Sequence, residues 1–496
     1  MQIENQKSIR ILYTLKILTF ILRKKPAMKK VITPLMLIIL LLQALQAQNI
    51  EKKSLTGSWL GRITANSVTL RVVFNLSVVE KDSLIATLDS PDQGAKNIKL
   101  GRVTFDGIAL KISAGALLAE YNGTIKNDTL IEGTWTQADN SVPLNLVKLK
   151  GAFTINRPQE PKPPFPYSSE DVTFTNSKFN IKLAGTLTIP KGDGPFPAVV
   201  MVTGSGAQNR NEELLGHKPF LVIADYLSRN GIAVLRYDDR GVGSSQGNIL
   251  SSTTADFATD AEAAFNYLKT NSRIKPNAIG LIGHSEGGLI APIVASSNPG
   301  IAFIVSLAGP GVTGEKILHR QNYNISSASG LDEKQIKEAI STNKKLFSIL
   351  KKEPEDKKAE EKILATYKRI LLKQKNSPED TEKAMTQLKA TFGPASYKWL
   401  RYFMMADPSE FWKRVKCPVL ALNGGKDLQV AADVNLPAIE KALKSGRNKS
   451  VKTIKFPELN HLFQHCKTGL PSEYGEIEET FSPEVLKIIS DWILGL

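Results

Sequence analysis

From residue 196 onward short apolar runs recur at spacings that leave room for a helix between them. The runs are FPAVVMV (196–202), GIAVLRYD (231–238), AIGLIG (278–283), IAFIVSLA (301–308), CPVLALN (417–423) and VKTIKF (451–456). Most are too short and too apolar on both sides to be surface strands, which fits strands covered by helices on both faces. The intervening stretches PFLVIADYLSRN, ADFATDAEAAFNYLKTN and EGGLIAPIVASS carry helical periodicity. This rhythm predicts βαβ units around a mostly parallel sheet, an α/β fold.

Residues 49–150 read differently. Segments such as TLRVVFNLSVV, SLIATLDS and AEYNGTIKNDTLIEGTWTQ alternate apolar and polar residues between Gly, Asn and Asp turns. They predict a small all-β accessory domain over 48–155, a barrel or curled sheet. NRPQEPKPPFPY then favours an extended connector over 156–169, and the α/β domain is expected over 170–496. Within it, about 314–409 turns helical and Lys/Glu-rich between two sheet strands, as an inserted cap would. The end of that insertion, YKWLRYFMMADPSEFW, is aromatic. Trp399, Tyr402, Phe403 and Met405 there are expected either to pack the cap on the core or to line an apolar pocket.

The formal net charge of +16 invites a nucleic-acid reading, but residues 1–47 hold eight Lys or Arg and one acid. Without them the charge is +9, dispersed and lacking an aromatic-studded basic groove, so nucleic acid is discounted. MKKVITPLMLIILLLQALQA has the parts of a secretory signal: Lys29 and Lys30, the apolar run Val31–Leu42, and Leu45-Gln46-Ala47 as a cleavage site. The run is shorter than the roughly 20 residues that span a bilayer, so export with cleavage after Ala47, and no stable membrane anchor, is expected. Met28 is an alternative start to Met1. Cys417 and Cys466, the two cysteines, are expected to be free thiols because they fall at opposite ends of the sheet.

IGLIGHSEGG (279–288) places Ser285 where a strand turns into a helix. A nucleophile there needs a sharp turn with nearly side-chain-free neighbours, which Gly283 and Gly287 provide. The helix start directs free N–H groups at a developing oxyanion, Glu286 N–H among them. Serine needs a base to remove its proton. Of five histidines, His461 in FPELNHLFQ follows the last strand; His465 is the lesser candidate, His284 is expected to point away from the site, and His217 and His319 to be structural or exposed. A metal held by His461, His465 and Cys466 is disfavoured, since no Glu lies between the histidines and no third ligand cluster appears. Asp427, at the tip of a Gly-rich loop after CPVLALN, is the orienting carboxylate. The order Ser285, Asp427, His461 is that of α/β-hydrolases. A second oxyanion N–H is expected from VMVTGSGAQNR, from either Ser205 or Gly206. RYDDRGVGSS reads as a strand-ending turn held by Asp238, Asp239 and Arg240.

Taken together, VTGSGAQNRNEE, GHKPFLVIADYLSRNGIAVLRYDDRGVGSS, GHSEGG, NGGKDLQV and ELNHLFQ resemble bacterial α/β-hydrolase serine esterases that carry an N-terminal β-rich domain. The resemblance spans roughly residues 50–496. It implies an exported carboxylesterase acting on small short-chain esters without metal or organic cofactor. Two alternatives stay open: a serine peptidase of the same fold, and a non-catalytic binding protein.

Overall fold

The structure, a computed structural model, describes residues 52–496 apart from 66–67, 81–82, 94, 138–139 and 375–376. The expected signal segment lies outside the described residues. Two compact units form the chain. One holds the described residues up to Gly61 with 73–89 and 97–153; the other holds 62–72, 90–96 and 154–496.

The first unit is built on a ten-stranded sheet. Its first strand, Gly57–Ala65, pairs antiparallel with its last, Leu146–Lys148, with Trp59 opposite Lys148. Alternating polar and apolar residues turn one face inward, as in Ser83–Ser90, where every second residue is buried. Phe74 sits at the centre of this core, 5.4 Å from Tyr121 and 6.0 Å from Trp135 between ring centroids.

The second unit carries an eight-stranded sheet: β1 (Tyr167–Asn176), β2 (Ile181–Pro190), β3 (Phe196–Val202), β4 (Ala233–Tyr237), β5 (Ile274–His284), β6 (Ile304–Leu307), β7 (Val419–Gly424) and β8 (Val451–Phe456). The order across the sheet is β1-β2-β4-β3-β5-β6-β7-β8. β1 and β2 form an antiparallel hairpin, and β2 meets β4 antiparallel. From β4 to β8 every pairing is parallel. The β1–β2 hairpin has no counterpart among the six runs read from sequence, and it begins inside the segment read as a connector.

Helices cover both faces. On one, Ala198, Val200 and Leu281 pack against α2 (Thr254–Lys269), α3 (Gly287–Ala295) and α10 (Ala432–Ser445). On the other, Val199, Met201 and Ile282 pack against α1 (Pro219–Arg229) and α11 (Pro483–Leu494). Successive strand residues point to opposite faces, so strands covered twice must be apolar at consecutive positions.

Between β6 and β7 lie α4 (Gly314–Ala328), α5 (Glu333–Lys352), α6 (Asp356–Lys373), α7 (Pro378–Thr391), α8 (Pro394–Met405) and α9 (Pro408–Trp412). This insertion has its own apolar core, in which Leu346, Leu350, Ile363, Tyr397, Leu400 and Met404 are buried together. α5 starts with a capping box between Asp332 and Gln335.

Candidate active site

Ser285 follows β5 directly and adopts φ of +51°, a left-handed conformation that costs a non-glycine residue on the order of 1–3 kcal/mol. The turn is pinned by Ser285 N–H donating to Leu307 O at 2.8 Å. A Cβ on Gly283 would fall 2.0 Å from Gly287 O, and one on Gly287 would fall 2.1 Å from Val202 O. Only glycine fits at either place. The serine is half-buried and reachable.

Asp427 lies three residues beyond β7 and His461 five beyond β8, so all three residues gather at the carboxyl ends of the strands, where open α/β sheets bind ligands. His461 Nδ1 is 2.8 Å from Asp427 Oδ2. The other oxygen, Oδ1, accepts the N–H groups of Gln429 and Val430, both at 2.8 Å. Each carboxylate oxygen therefore has its own task. The His461 loop is braced from within: Asn460 Oδ1 accepts N–H groups from Leu462 and Gln464 at 2.9 and 3.0 Å. Among the described residues the Ser285 hydroxyl makes no hydrogen bond to the His461 ring; such contacts are often loose before substrate arrives.

Ser205 and Gly206 lie exposed in the loop after β3. Among the described residues their N–H groups and that of Glu286 are donated to no acceptor, as an oxyanion site requires. Gly204 N–H is committed elsewhere, to Glu212 Oε1 at 2.6 Å. The loop is fixed by acids ending β4. Asp238 pairs with Arg210 at 2.8 Å, and Asp239 accepts from the Thr203 hydroxyl at 2.6 Å and from Gln208 N–H at 3.0 Å. Arg240 pairs with Asp260 at 2.7 Å, both almost wholly buried. The turn read from sequence thus does more than close on itself, because all three side chains reach across, Asp238 and Asp239 to the loop after β3 and Arg240 to α2. Burial pushes the Asp239 carboxyl up to about 8 against those hydrogen bonds, with Glu212 and Glu286 adding to the rise.

Glu286 is buried and accepts from the Thr254 hydroxyl at 2.6 Å and from the Trp399 indole N–H at 2.8 Å. Burial holds its carboxyl above the ordinary value, against hydrogen bonds from Thr254, Trp399 and Ser205. Gly204, Gly206, Asp239, Asp260 and Glu286 help to line a cavity of about 10 Å³ behind the loop, room for roughly one water.

Trp399 stacks on Phe403 at 5.3 Å, and Phe403 packs with Leu289 of α3, Ile317 and Val430. Tyr402 is half-buried. Met405 is corrected: it is 61% exposed and joins neither apolar cluster, while Met404 is buried in the insertion's core. One turn separates the members of each pair, 399/403 and 400/404, and these two stripes leave Met405 on the solvent side of α8.

His284 also differs from expectation. Its side chain is buried beside His461, with ring centroids 4.8 Å apart. Nδ1 is 3.0 Å from Glu212 Oε1 and Nε2 is 3.0 Å from His461 O. Burial alone would lower this imidazole, but the charge and hydrogen bond of Glu212, with His461 O and Asp427, hold it above its ordinary value. Glu212 is a residue that sequence reasoning missed; its signal was an acid in the loop after β3, from which the second oxyanion donor was expected. His465 pairs with Glu479 at 2.8 Å on the surface, and His217 is buried against Thr480 and Tyr474 O. Both cysteines are free.

A family model described as serine aminopeptidase, S33, matches residues 218–372. That stretch runs from α1 through the strand–serine–helix turn into the insertion, and the sheet order and chain order of Ser285, Asp427 and His461 agree with it. The chain has the α/β-hydrolase fold. Esterase EstD of Thermotoga maritima is 29% identical to this hydrolase over 331 residues, 65% of this chain and 68% of that protein. Acyl-coenzyme A thioesterase 2, mitochondrial, of Homo sapiens is 31% identical over 131 residues, 26% of this chain and 24% of the relative's length. Among solved structures, the Pyrococcus furiosus esterase Pf2001 aligns with a TM-score of 0.42 at 16% identity, covering 70% of this hydrolase and 98% of the other chain.

Proposed function

We propose that this hydrolase cleaves carboxylic esters of small molecules with short acyl chains, through a serine-bound acyl-enzyme. Ser285 Oγ attacks the ester carbonyl carbon while His461 Nε2 takes its proton. Asp427 Oδ2, at the opposite nitrogen, fixes the tautomer and stabilises the imidazolium. The N–H of Glu286 and that of Ser205 or Gly206 receive the oxyanion. His461 then returns the proton to the leaving alcohol, and water frees the acid by the reverse sequence. Trp399 and Phe403 supply an apolar wall for the acyl group.

The observation that supports this reading is the 2.8 Å His461–Asp427 bond at the strand ends that also carry the strained Ser285 turn. The relative named an esterase covers most of the chain and favours esters; the name of the matching family keeps peptide amides as the second reading. Export belongs to the same proposal, resting on Lys29–Ala47 in the sequence.

The test compares the purified full chain with Ser285→Ala on p-nitrophenyl acetate, butyrate and octanoate and on an aminoacyl anilide. Ester turnover is expected to fall with chain length and to drop by roughly 10⁴-fold or more in the variant. Dominant anilide cleavage would move the protein to the peptidases. Inertness to both, with no labelling of Ser285 by a fluorophosphonate, would sink the catalytic reading.

A further inference from the structure

We propose that Glu212 and His284 form a second buried carboxylate–imidazole pair, in which a doubly protonated His284 positions both the His461 main chain and the oxyanion loop. This inference rests on the catalytic reading above for its consequence, though not for the pair itself.

Both ring nitrogens of His284 face oxygen. His461 O is a carbonyl and only accepts, so Nε2 must carry a proton to bond it. Glu212 Oε1 already accepts Gly204 N–H at 2.6 Å, so a proton on Nδ1 completes its set at 3.0 Å. A proton on Glu212 Oε1 instead would leave a hydroxyl oxygen, a weaker acceptor than a carboxylate, to take the short 2.6 Å bond from Gly204 N–H. The arrangement that satisfies these contacts is imidazolium against carboxylate. Around the pair lie Phe220, Ile223, Leu307, Leu462 and Phe481, so little solvent screens it.

The pair holds two things at once. Through His461 O it fixes the main chain that carries the base, and through Gly204 N–H it fixes the loop whose next two N–H groups are free. The titratable groups facing it are Asp427 and His461 from the loops after β7 and β8, and Asp239 from the end of β4 beside Glu212. When His284 loses its proton, one of its two bonds is lost and the base loop loosens.

The test labels the histidines of the full chain with ¹⁵N and records two-bond ¹H–¹⁵N spectra, with His284→Gln identifying the resonances. At pH 7 His284 is expected to show the cationic pattern, and the neutral pattern in Glu212→Gln. A neutral His284 in the wild type overturns the proposal, whether or not any ester is turned over. On p-nitrophenyl acetate, Glu212→Gln is expected to lose about 10- to 100-fold in kcat with KM nearly unchanged. Its alkaline limb of kcat/KM should move down by about one pH unit or more. An equal loss at every pH, with the limb unmoved, would mean a merely structural role and also overturns the proposal. Should Glu212→Gln fail to fold, the wild-type spectrum decides alone. A wild type inert to esters but with cationic His284 would sink the esterase reading and leave the pair standing.

Discussion

At the scale of single residues, Asp427 divides its work cleanly. Oδ1 accepts two main-chain N–H groups, and Oδ2 faces His461 Nδ1. In Asp427→Asn the amide oxygen can keep the main-chain bonds, which turns the NH₂ toward Nδ1. The imidazole is then driven to carry its proton on Nε2, where it cannot take one from Ser285. A fall in kcat of about 10⁴-fold at pH 7 is expected, with KM and melting temperature little changed; steady-state kinetics beside a thermal melt checks this. An ordinary melt with unchanged kcat would move the orienting role elsewhere. The three members of this set were legible in the sequence because each follows an apolar run in a turn of its own. His284 was not, because the side-chain direction of a residue next to a turn depends on a backbone angle, here φ of +51° at Ser285. Glu212 was harder still. It meets His284 across 72 positions of chain, and no local pattern marks such a pairing.

At the scale of elements, β5, the turn and α3 form one unit whose tightness comes from two missing side chains. Gly283→Ala places a methyl 2.0 Å from Gly287 O and 2.8 Å from Gly288 N, both backbone atoms that cannot rotate away. A loss of more than about 3 kcal/mol is expected, read as a lowered denaturation midpoint. Retention of wild-type stability would mean that the turn can open, and that the strain at Ser285 is not enforced by its neighbours. The parallel strands could be read ahead because two helical layers demand continuous apolarity. The β1–β2 hairpin was missed because β1 has one mostly exposed face and alternates, whereas its partner β2 is almost wholly buried. The pocket residues on α8 were half legible: aromatic content singled out the helix, but two adjacent apolar stripes decide which methionine is buried, and their phase is set by packing partners rather than by composition.

At the scale of the whole molecule, the second unit keeps several acids buried behind the loop after β3, and this should make its stability depend on pH in an unusual direction. Asp239 has a folded pKa of about 8 against an ordinary value of 3.8. Below about pH 4 the folded and unfolded chains both hold this proton. Between about 4 and 8 the folded chain binds it and the unfolded chain has released it, so the contribution of Asp239 to stability is lost as pH rises. Above about 8 both have released it and the slope vanishes. Glu286, raised in the same direction by burial, steepens the same limb. Asp239→Asn can still accept Gln208 N–H through its amide oxygen and donate to the Thr203 hydroxyl, and it carries no charge to bury. The variant is therefore expected to gain on the wild type steadily between pH 5 and 8, by on the order of 1 kcal/mol or more. Denaturant unfolding of both proteins across that range measures the difference directly. A difference that stays flat would mean that Asp239 is ionised throughout, with Thr203 and Gln208 sufficient to hold its charge, and a buried carboxylate would then stand permanently behind the loop after β3.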